Sequence, residues 1–76
     1  MVKKTIFLKE EETYITLQSL LKLSGVIQTG GMVKFYLSEN PVLVNGEKED
    51  RRGRKLYPGD LVEVEGSVFL IKNRDS

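Results

Sequence analysis

The segment Val42-Leu43-Val44-Asn45-Gly46 decides how the second half of this chain folds. Three consecutive apolar residues, two of them β-branched, indicate a strand. Asn-Gly directly after them is the strongest short-range signal for a type I′ hairpin turn. We therefore expect residues 47–50 to return antiparallel to residues 42–44, and the second half of the chain to be rich in β-structure.

Directly after this hairpin comes Arg51-Arg52-Gly53-Arg54-Lys55, called the basic segment below. It carries a net charge of +4, whereas residues 1–50 carry −1 and residues 56–76 carry −2. The +1 of the whole chain therefore conceals one concentrated positive patch. Arginine matches phosphate with a planar fork and stacks on bases, and Gly53 lets the loop bend closely against a backbone. Taken alone, the segment fits a solvated loop and a nucleic-acid contact equally well.

The residues that follow the basic segment continue the β pattern. Pro58-Gly59, within Leu56-Tyr57-Pro58-Gly59-Asp60, predicts a turn with Pro at its second and Gly at its third position. Leu61, Val62 and Val64, with the charged Glu63 and Glu65 between and after them, indicate a strand. Gly66-Ser67 is expected to turn the chain into a last strand at residues 68–71.

The residues that precede the hairpin predict two short helices. Thr16 is a good N-cap, and Leu17, Leu20, Leu21 and Ser24 follow it at helical spacing. Gly25 then suits the residue after a helix, so the first helix is expected at residues 17–24. Thr29-Gly30-Gly31 opens a second helix, expected at residues 31–38 and ended by Pro41. Its apolar residues are expected to pack on helix one or to extend the same stripe: Met32, Val33, Phe35, Tyr36 and Leu37.

The order of these elements defines the fold class. Residues 5–8 form a short first strand, the two helices follow, and the β-rich half completes the chain. Each helix must bury one face against the small sheet, which is an α+β arrangement. With 76 residues the chain supports one domain, residues 1–76, with few residues to spare for a deep cavity.

Composition excludes several classes of function. The chain has no Cys and no His, so disulfides, thiol catalysis, the usual zinc ligands and the commonest general base are absent. No apolar run is long enough for a membrane span or a signal peptide. No phosphate-binding or dinucleotide-binding glycine pattern is present. We expect a cytoplasmic protein that is not an enzyme and that uses neither cofactor nor metal.

Several residues outside the basic segment are candidate contacts. Thr29-Gly30-Gly31 precedes a helix, where exposed backbone N–H groups and the helix dipole favour a phosphate, although a capped helix start explains it as well. Lys22 and Lys34 are ordinary surface lysines unless they lie beside such a site. Tyr36 and Tyr57 could stack on unpaired bases, although packing in the core or in a turn is the commoner use of tyrosine.

Together these pieces resemble the S-four (S4) RNA-binding domain, also called the alpha-L motif. The resemblance covers residues 15–65 and is closest to the small stand-alone bacterial members known as the YaaA proteins. Its most specific parts are Val-Leu-Val-Asn-Gly at residues 42–46 and Lys-Leu-Tyr-Pro-Gly-Asp at residues 55–60, correctly spaced after a helix pair. The resemblance implies a two-helix alpha-L motif packed on a small, mostly antiparallel β-sheet.

The resemblance also implies where RNA is bound. The helix pair and the neighbouring hairpin would form one RNA-facing surface, and these residues match the family's contact positions: Lys22, Thr29, Gly30, Gly31, Lys34, Asn45, Gly46, Arg51, Arg52, Arg54 and Lys55. Another set matches the family's packing positions: Leu20, Leu21, Val33, Val42, Val44, Leu56 and Val64. Many members have an arginine where this chain has Gly30, and Lys34 with Arg51 and Arg52 could compensate.

The resulting expectation is a monomeric, non-catalytic protein that binds structured RNA such as ribosomal RNA. Recognition would depend mainly on phosphate contacts and RNA shape, because side chains cannot read the deep groove of A-form RNA. The alternative is an adaptor that binds a protein partner of the ribosome or of the replication machinery through its sheet face. Near-zero salt dependence of binding would favour that alternative.

Overall fold

Two short helices lie against a five-stranded mixed sheet in the computed structural model, which describes residues 2–28 and 30–74. The α+β fold class expected from the sequence is confirmed. In chain order the elements are β1 (Val2–Phe7), β2 (Ile15–Thr16), α1 (Leu17–Leu23), α2 (Val33–Glu39), β3 (Val42–Val44), β4 (Glu47–Glu49), β5 (Lys55–Leu56), β6 (Leu61–Val64) and β7 (Ser67–Lys72).

The main sheet has the strand order β1-β7-β6-β3-β4. Three of its four pairings are antiparallel, and β1 pairs with β7 in parallel. The first and last strands of the chain are therefore neighbours. β2 and β5 form a separate two-stranded antiparallel ladder. Neither of these two-residue strands was predictable from the sequence, because neither is long enough to show an alternating pattern.

The turns of the β-rich half follow from their residues. Asn45 and Gly46 have φ values of 53° and 85°, so the type I′ turn predicted between β3 and β4 is confirmed. Gly59 has a φ of 96°, as the third residue of the predicted Pro-Gly turn requires. The next hairpin turns at Glu65-Gly66 and not at the predicted Gly66-Ser67, because Ser67 already pairs with Val64 in β7.

Helix α1 begins at Leu17 as predicted and ends at Leu23, one residue before the predicted end, with Ser24 as its C-cap. The Thr16 hydroxyl accepts a hydrogen bond from the Ser19 N–H, and Gly25 follows the helix with a φ of 81°. The second helix differs from the prediction. Gly30–Met32 form a single 3-10 turn, and the α-helix starts only at Val33.

This later start corrects the expected packing of the second helix. Val33 and Leu37, four residues apart, are the buried pair of α2. Phe35 lies two residues from Val33, on the opposite side of the helix, and is exposed. Met32 precedes the α-helical turns and is exposed as well. The prediction that these two side chains pack on helix one is wrong.

The core fills the space between the helix pair and the sheet. All of the family packing positions named from the sequence are buried, and they are Leu20, Leu21, Val33, Val42, Val44, Leu56 and Val64. Leu17 and Leu37 from the helices and Ile71 from β7 are also fully buried in this cluster. The core thus fixes both helices and the hairpin that leads into the basic segment.

Candidate nucleic-acid interface

The backbone of the basic segment is bonded to the start of helix α1. The Leu17 N–H donates to the Arg54 carbonyl at 2.9 Å, and the Gln18 N–H donates to the Arg52 carbonyl at 3.0 Å. These N–H groups belong to the first helical turn and have no partner within the helix. The basic segment therefore supplies acceptors that α1 requires, and its backbone is held in place without its cationic side chains.

A buried carboxylate holds two of the arginines. Glu49 is the one buried charged residue among those that the structure describes, and its Oε2 lies 3.0 Å from Arg51 Nε. Its Oε1 lies 3.1 Å from Arg54 Nη1. Hydrogen bonds from Arg51, opposed in part by burial, lower the pKa of Glu49 to about 2. Glu49 is therefore ionised at neutral pH and orients both guanidinium groups.

The pairing leaves the two arginines in different situations. The side chain of Arg51 is 74% exposed, whereas that of Arg54 is 35% exposed. Arg51 can therefore still offer donors to a phosphate on its outer side. Arg54 supports the loop through its bond to Glu49, and it stays a predicted RNA contact.

Helix α2 brings a lysine to the same place. Lys34 borders a shallow groove of about 350 Å³ together with Arg51 and Arg52, and the other lining residues are Asp50 and Gly53. Lys34 and Arg52 are both exposed, and neither forms an ion pair within residues 2–28 and 30–74. Two cations without an ion pair among the described residues, from distant parts of the chain, thus share one groove with Arg51 and with the acidic Asp50.

Lys55 extends the positive charge in another direction. It lies in β5, and its Nζ is 5.1 Å from the centre of the Tyr14 ring. The rings of Tyr14 and Tyr57 are 5.8 Å apart and inclined at 49°. The sequence singled out Tyr57 but not Tyr14. The missed signal was the apolar Ile15 beside Tyr14, because alternate residues of a strand face opposite sides.

Asn45 matches a contact position of the family, and its side chain already forms hydrogen bonds within the protein. Its amide nitrogen donates to Asp60 Oδ1 at 3.1 Å, and its Oδ1 accepts from the Leu61 N–H at 2.9 Å. Asp60 Oδ2 in turn accepts from the Tyr57 N–H at 2.8 Å. These bonds join the Asn-Gly turn to the Pro-Gly turn. The structure thus gives Asn45 a supporting role, and with Gly46 it stays a predicted RNA contact.

Other predicted contacts lie apart or outside the described residues. Lys22 is exposed in a separate groove of about 410 Å³ that it shares with Lys9 and Arg74, and the basic segment does not line it. Gly31 belongs to the 3-10 turn before α2, and a Cβ there would meet nothing within 4 Å. Gly30 starts that turn, and Thr29 is not among the described residues. The phosphate expected at the start of helix two stays a prediction.

The described part of the chain contains neither a candidate metal centre nor a candidate membrane-spanning helix. No cluster of three acidic, Cys or His side chains suited to a metal occurs in residues 2–28 and 30–74. None of the helices in these ranges is both long enough and apolar enough to cross a membrane. What the site presents is a set of cations and two exposed aromatic rings on a fixed backbone.

Comparison with known families identifies the family to which this fold belongs. The model of the S4 domain family matches residues 8–72, so this chain belongs to the S4 domain family. The match extends beyond the residues 15–65 on which the sequence resemblance rested. A curated relative from Bacillus subtilis (strain 168), the "Probable ribosome maturation protein RlbA", is 65% identical over 60 residues. That alignment covers 78% of this chain and 84% of the relative.

Proposed function

We propose that this protein is a non-catalytic RNA-binding protein that acts in ribosome maturation by binding structured RNA, with ribosomal RNA as the main target. The observation that carries the proposal is the groove shared by Lys34, Arg51 and Arg52. Membership of the S4 domain family supports RNA as the ligand. The name of the Bacillus subtilis relative supports the ribosome as the setting, and with it a cytoplasmic location.

Binding in this proposal begins with phosphate neutralisation. Lys34 and Arg52 form no ion pair with any described residue, so each can replace a counterion of the RNA backbone. Arg51 adds a guanidinium whose direction is already fixed by Glu49, and this lowers the entropy lost on binding. Lys55 adds a further positive charge beside Tyr14. RNA shape then selects the partner, because these contacts do not read base edges.

Salt dependence tests this mechanism. With roughly four to six phosphate contacts, the logarithm of affinity for ribosomal RNA should fall against the logarithm of salt concentration with a slope of about −3 to −5. Filter binding at several salt concentrations gives that slope. The double variant Lys34→Ala/Arg52→Ala should weaken binding and reduce the slope by about two.

The matched control removes two lysines from the opposite edge of the sheet. Lys3 and Lys4 are exposed on β1, which is the opposite edge strand from β4 in the strand order. Lys3→Ala/Lys4→Ala makes the same change in net charge and should leave the slope nearly unchanged. An equal effect of the two double variants would show that net charge, and not the groove, controls binding, and would contradict the proposal.

A protein adaptor is the second candidate, and one observation favours it. Met32 and Phe35 are exposed beside an apolar groove of about 400 Å³ on α2. An adaptor of this kind would bind ribosomal particles with little salt dependence, and Phe35→Ala would reduce its co-sedimentation with ribosomal subunits. Loss of co-sedimentation in Lys34→Ala/Arg52→Ala but not in Phe35→Ala decides for RNA binding.

A further inference from the structure

The small ladder of β2 and β5 carries an exposed aromatic pair that the phosphate contacts do not use. In its antiparallel register, Ile15 is opposite Leu56 and Thr16 is opposite Lys55. One step further along the same register, Tyr14 is opposite Tyr57. Ile15 and Leu56 are buried, so alternation turns Tyr14, Lys55 and Tyr57 to the outer face.

The pair is accessible although its backbone is fixed. Tyr14 is 37% exposed and Tyr57 is 47% exposed. The Tyr57 N–H is bonded to Asp60, and the neighbouring Leu56 is fully buried. With ring centres 5.8 Å apart and inclined at 49°, the two rings leave no room for a flat group between them. A ligand must therefore stack on an outer ring face.

Positive charge adjoins these rings. Lys55 lies two residues from Tyr57 on the same outer face, and its ammonium group is 5.1 Å from the centre of the Tyr14 ring. Tyr57 and Lys55 also line a groove of about 640 Å³ that continues to the basic segment, with Arg51, Gly53, Arg54 and Asp60 as its other lining residues. One groove thus joins an aromatic face to cations that bind phosphate.

From this arrangement we propose that Tyr57, supported by Tyr14, is a stacking site for one unpaired base beside the RNA helix held by the basic segment. The inference rests on the proposed RNA-binding function and specifies its ligand as a helix with an adjacent unpaired nucleotide. Aromatic side chains bind any base through its flat face, whereas cations alone bind paired and unpaired RNA through the same phosphates. Lys55 would contact the phosphate of the stacked nucleotide.

Two hairpin RNAs with the same stem test this site. Both have the same loop. One has a fully paired stem, and the stem of the other carries a single bulged 2-aminopurine, whose fluorescence falls when the base stacks on an aromatic ring. At about 50 mM salt, the wild-type protein should bind the bulged hairpin about 10-fold more tightly and quench its fluorescence. Tyr57→Ala should remove this preference and the quenching, whereas Tyr57→Phe should retain both.

Further variants separate stacking from folding and from charge. Phe35→Ala removes another exposed ring, at a different groove, and should leave the preference intact. Arg52→Ala should lower the affinity for both hairpin RNAs by the same factor. Thermal unfolding of Tyr57→Ala should match wild type, and Tyr14→Ala provides a second variant from the other strand that should reduce the preference.

The outcomes distinguish this site from the proposed function. Equal binding of both hairpins by the wild type, or a preference that survives Tyr57→Ala and Tyr14→Ala, overturns the stacking site and leaves phosphate binding in place. Failure of both hairpins to bind at this salt concentration overturns the RNA-binding function, and the stacking site with it.

Discussion

The two connections at the ends of β4 match the same family pattern but use their side chains in opposite ways. At one end, the exposed side chain of Asn45 is bonded within the protein, to Asp60 and Leu61. At the other end, the basic segment is held by its backbone carbonyls, and Arg52 is left exposed without an ion pair among the described residues. A residue that matches a contact motif can therefore serve either the fold or the ligand.

The largest effect is expected at the Asn45-Gly46 turn, where the side chain is bonded within the protein. Asn45→Ala removes two side-chain hydrogen bonds and places a Cβ-bearing residue without a polar group at a φ of 53°, so it should lower the free energy of unfolding by about 2 kcal/mol. Urea unfolding measures this change. Asn45→Gly is the control, because it loses the same bonds without the backbone strain and should lose less stability. A variant as stable as wild type would show that Asn45 does not support the fold.

A pH titration tests the buried link between β4 and the basic segment. Because the pKa of Glu49 is lowered to about 2 in the folded protein, its ionised form adds stability above its ordinary pKa of 4.5. That stability is lost as pH falls from about 5 towards 2. Glu49→Gln should lower Tm at pH 7 by roughly 4–8 °C, the shift that about 1 kcal/mol gives in a domain of this size.

The pH profile itself provides the control for this prediction. In Glu49→Gln, the part of the acid destabilisation due to this carboxylate should disappear, so the Tm difference between wild type and variant should shrink as pH approaches 2. A Tm difference that stays constant between pH 7 and pH 2 would contradict an ionic role for Glu49. The direct measurement is the titration of the Glu49 carboxyl by NMR.

The outward-facing side chain should show the opposite pattern. Arg52→Ala should change the free energy of unfolding by no more than about 0.5 kcal/mol, because the side chain is exposed and pairs with no acid among residues 2–28 and 30–74. It should nevertheless reduce the salt slope of RNA binding by about one. Arg54→Ala is the comparison, since its loss deprives Glu49 of a partner and should lower Tm. If Arg52→Ala destabilised as much as Arg54→Ala, the distinction between the two arginines would fail.

The smallest effect is expected at Gly53. Its φ lies outside the left-handed region and a Cβ would meet nothing within 4 Å, so Gly53→Ala should leave stability unchanged or raise it by up to about 1 kcal/mol. If this glycine lets the loop bend closely against an RNA backbone, as expected from the sequence, the same variant should lose RNA affinity several-fold. Unfolding and filter binding together separate the two effects. Unchanged RNA affinity would show that Gly53 is not needed for close approach of the RNA backbone.

Some of this site was predictable because short-range rules determine it. The Asn-Gly turn, the Pro-Gly turn, the Thr16 cap and Gly25 follow from local backbone preferences, and all four occur as expected. The start of the second helix was not predictable in the same way. Its two glycines and Met32 allow both an α-turn and a 3-10 turn, and burial of Val33 and Leu37 decides between them.

The sequence by itself determined the fold class, the packing positions and the place where positive charge concentrates, because hydrophobic pattern, turn residues and charge runs are properties of neighbouring residues. Only the tertiary structure decided which of those charges remain free. Glu49 engages Arg51 and Arg54, which follow it closely along the chain. Lys34 shares a groove with Arg51 and Arg52, and Tyr14 contacts Tyr57, through the packing of distant segments. No rule of spacing along the chain encodes such contacts, since they depend on how the core and the two ladders bring separate segments together.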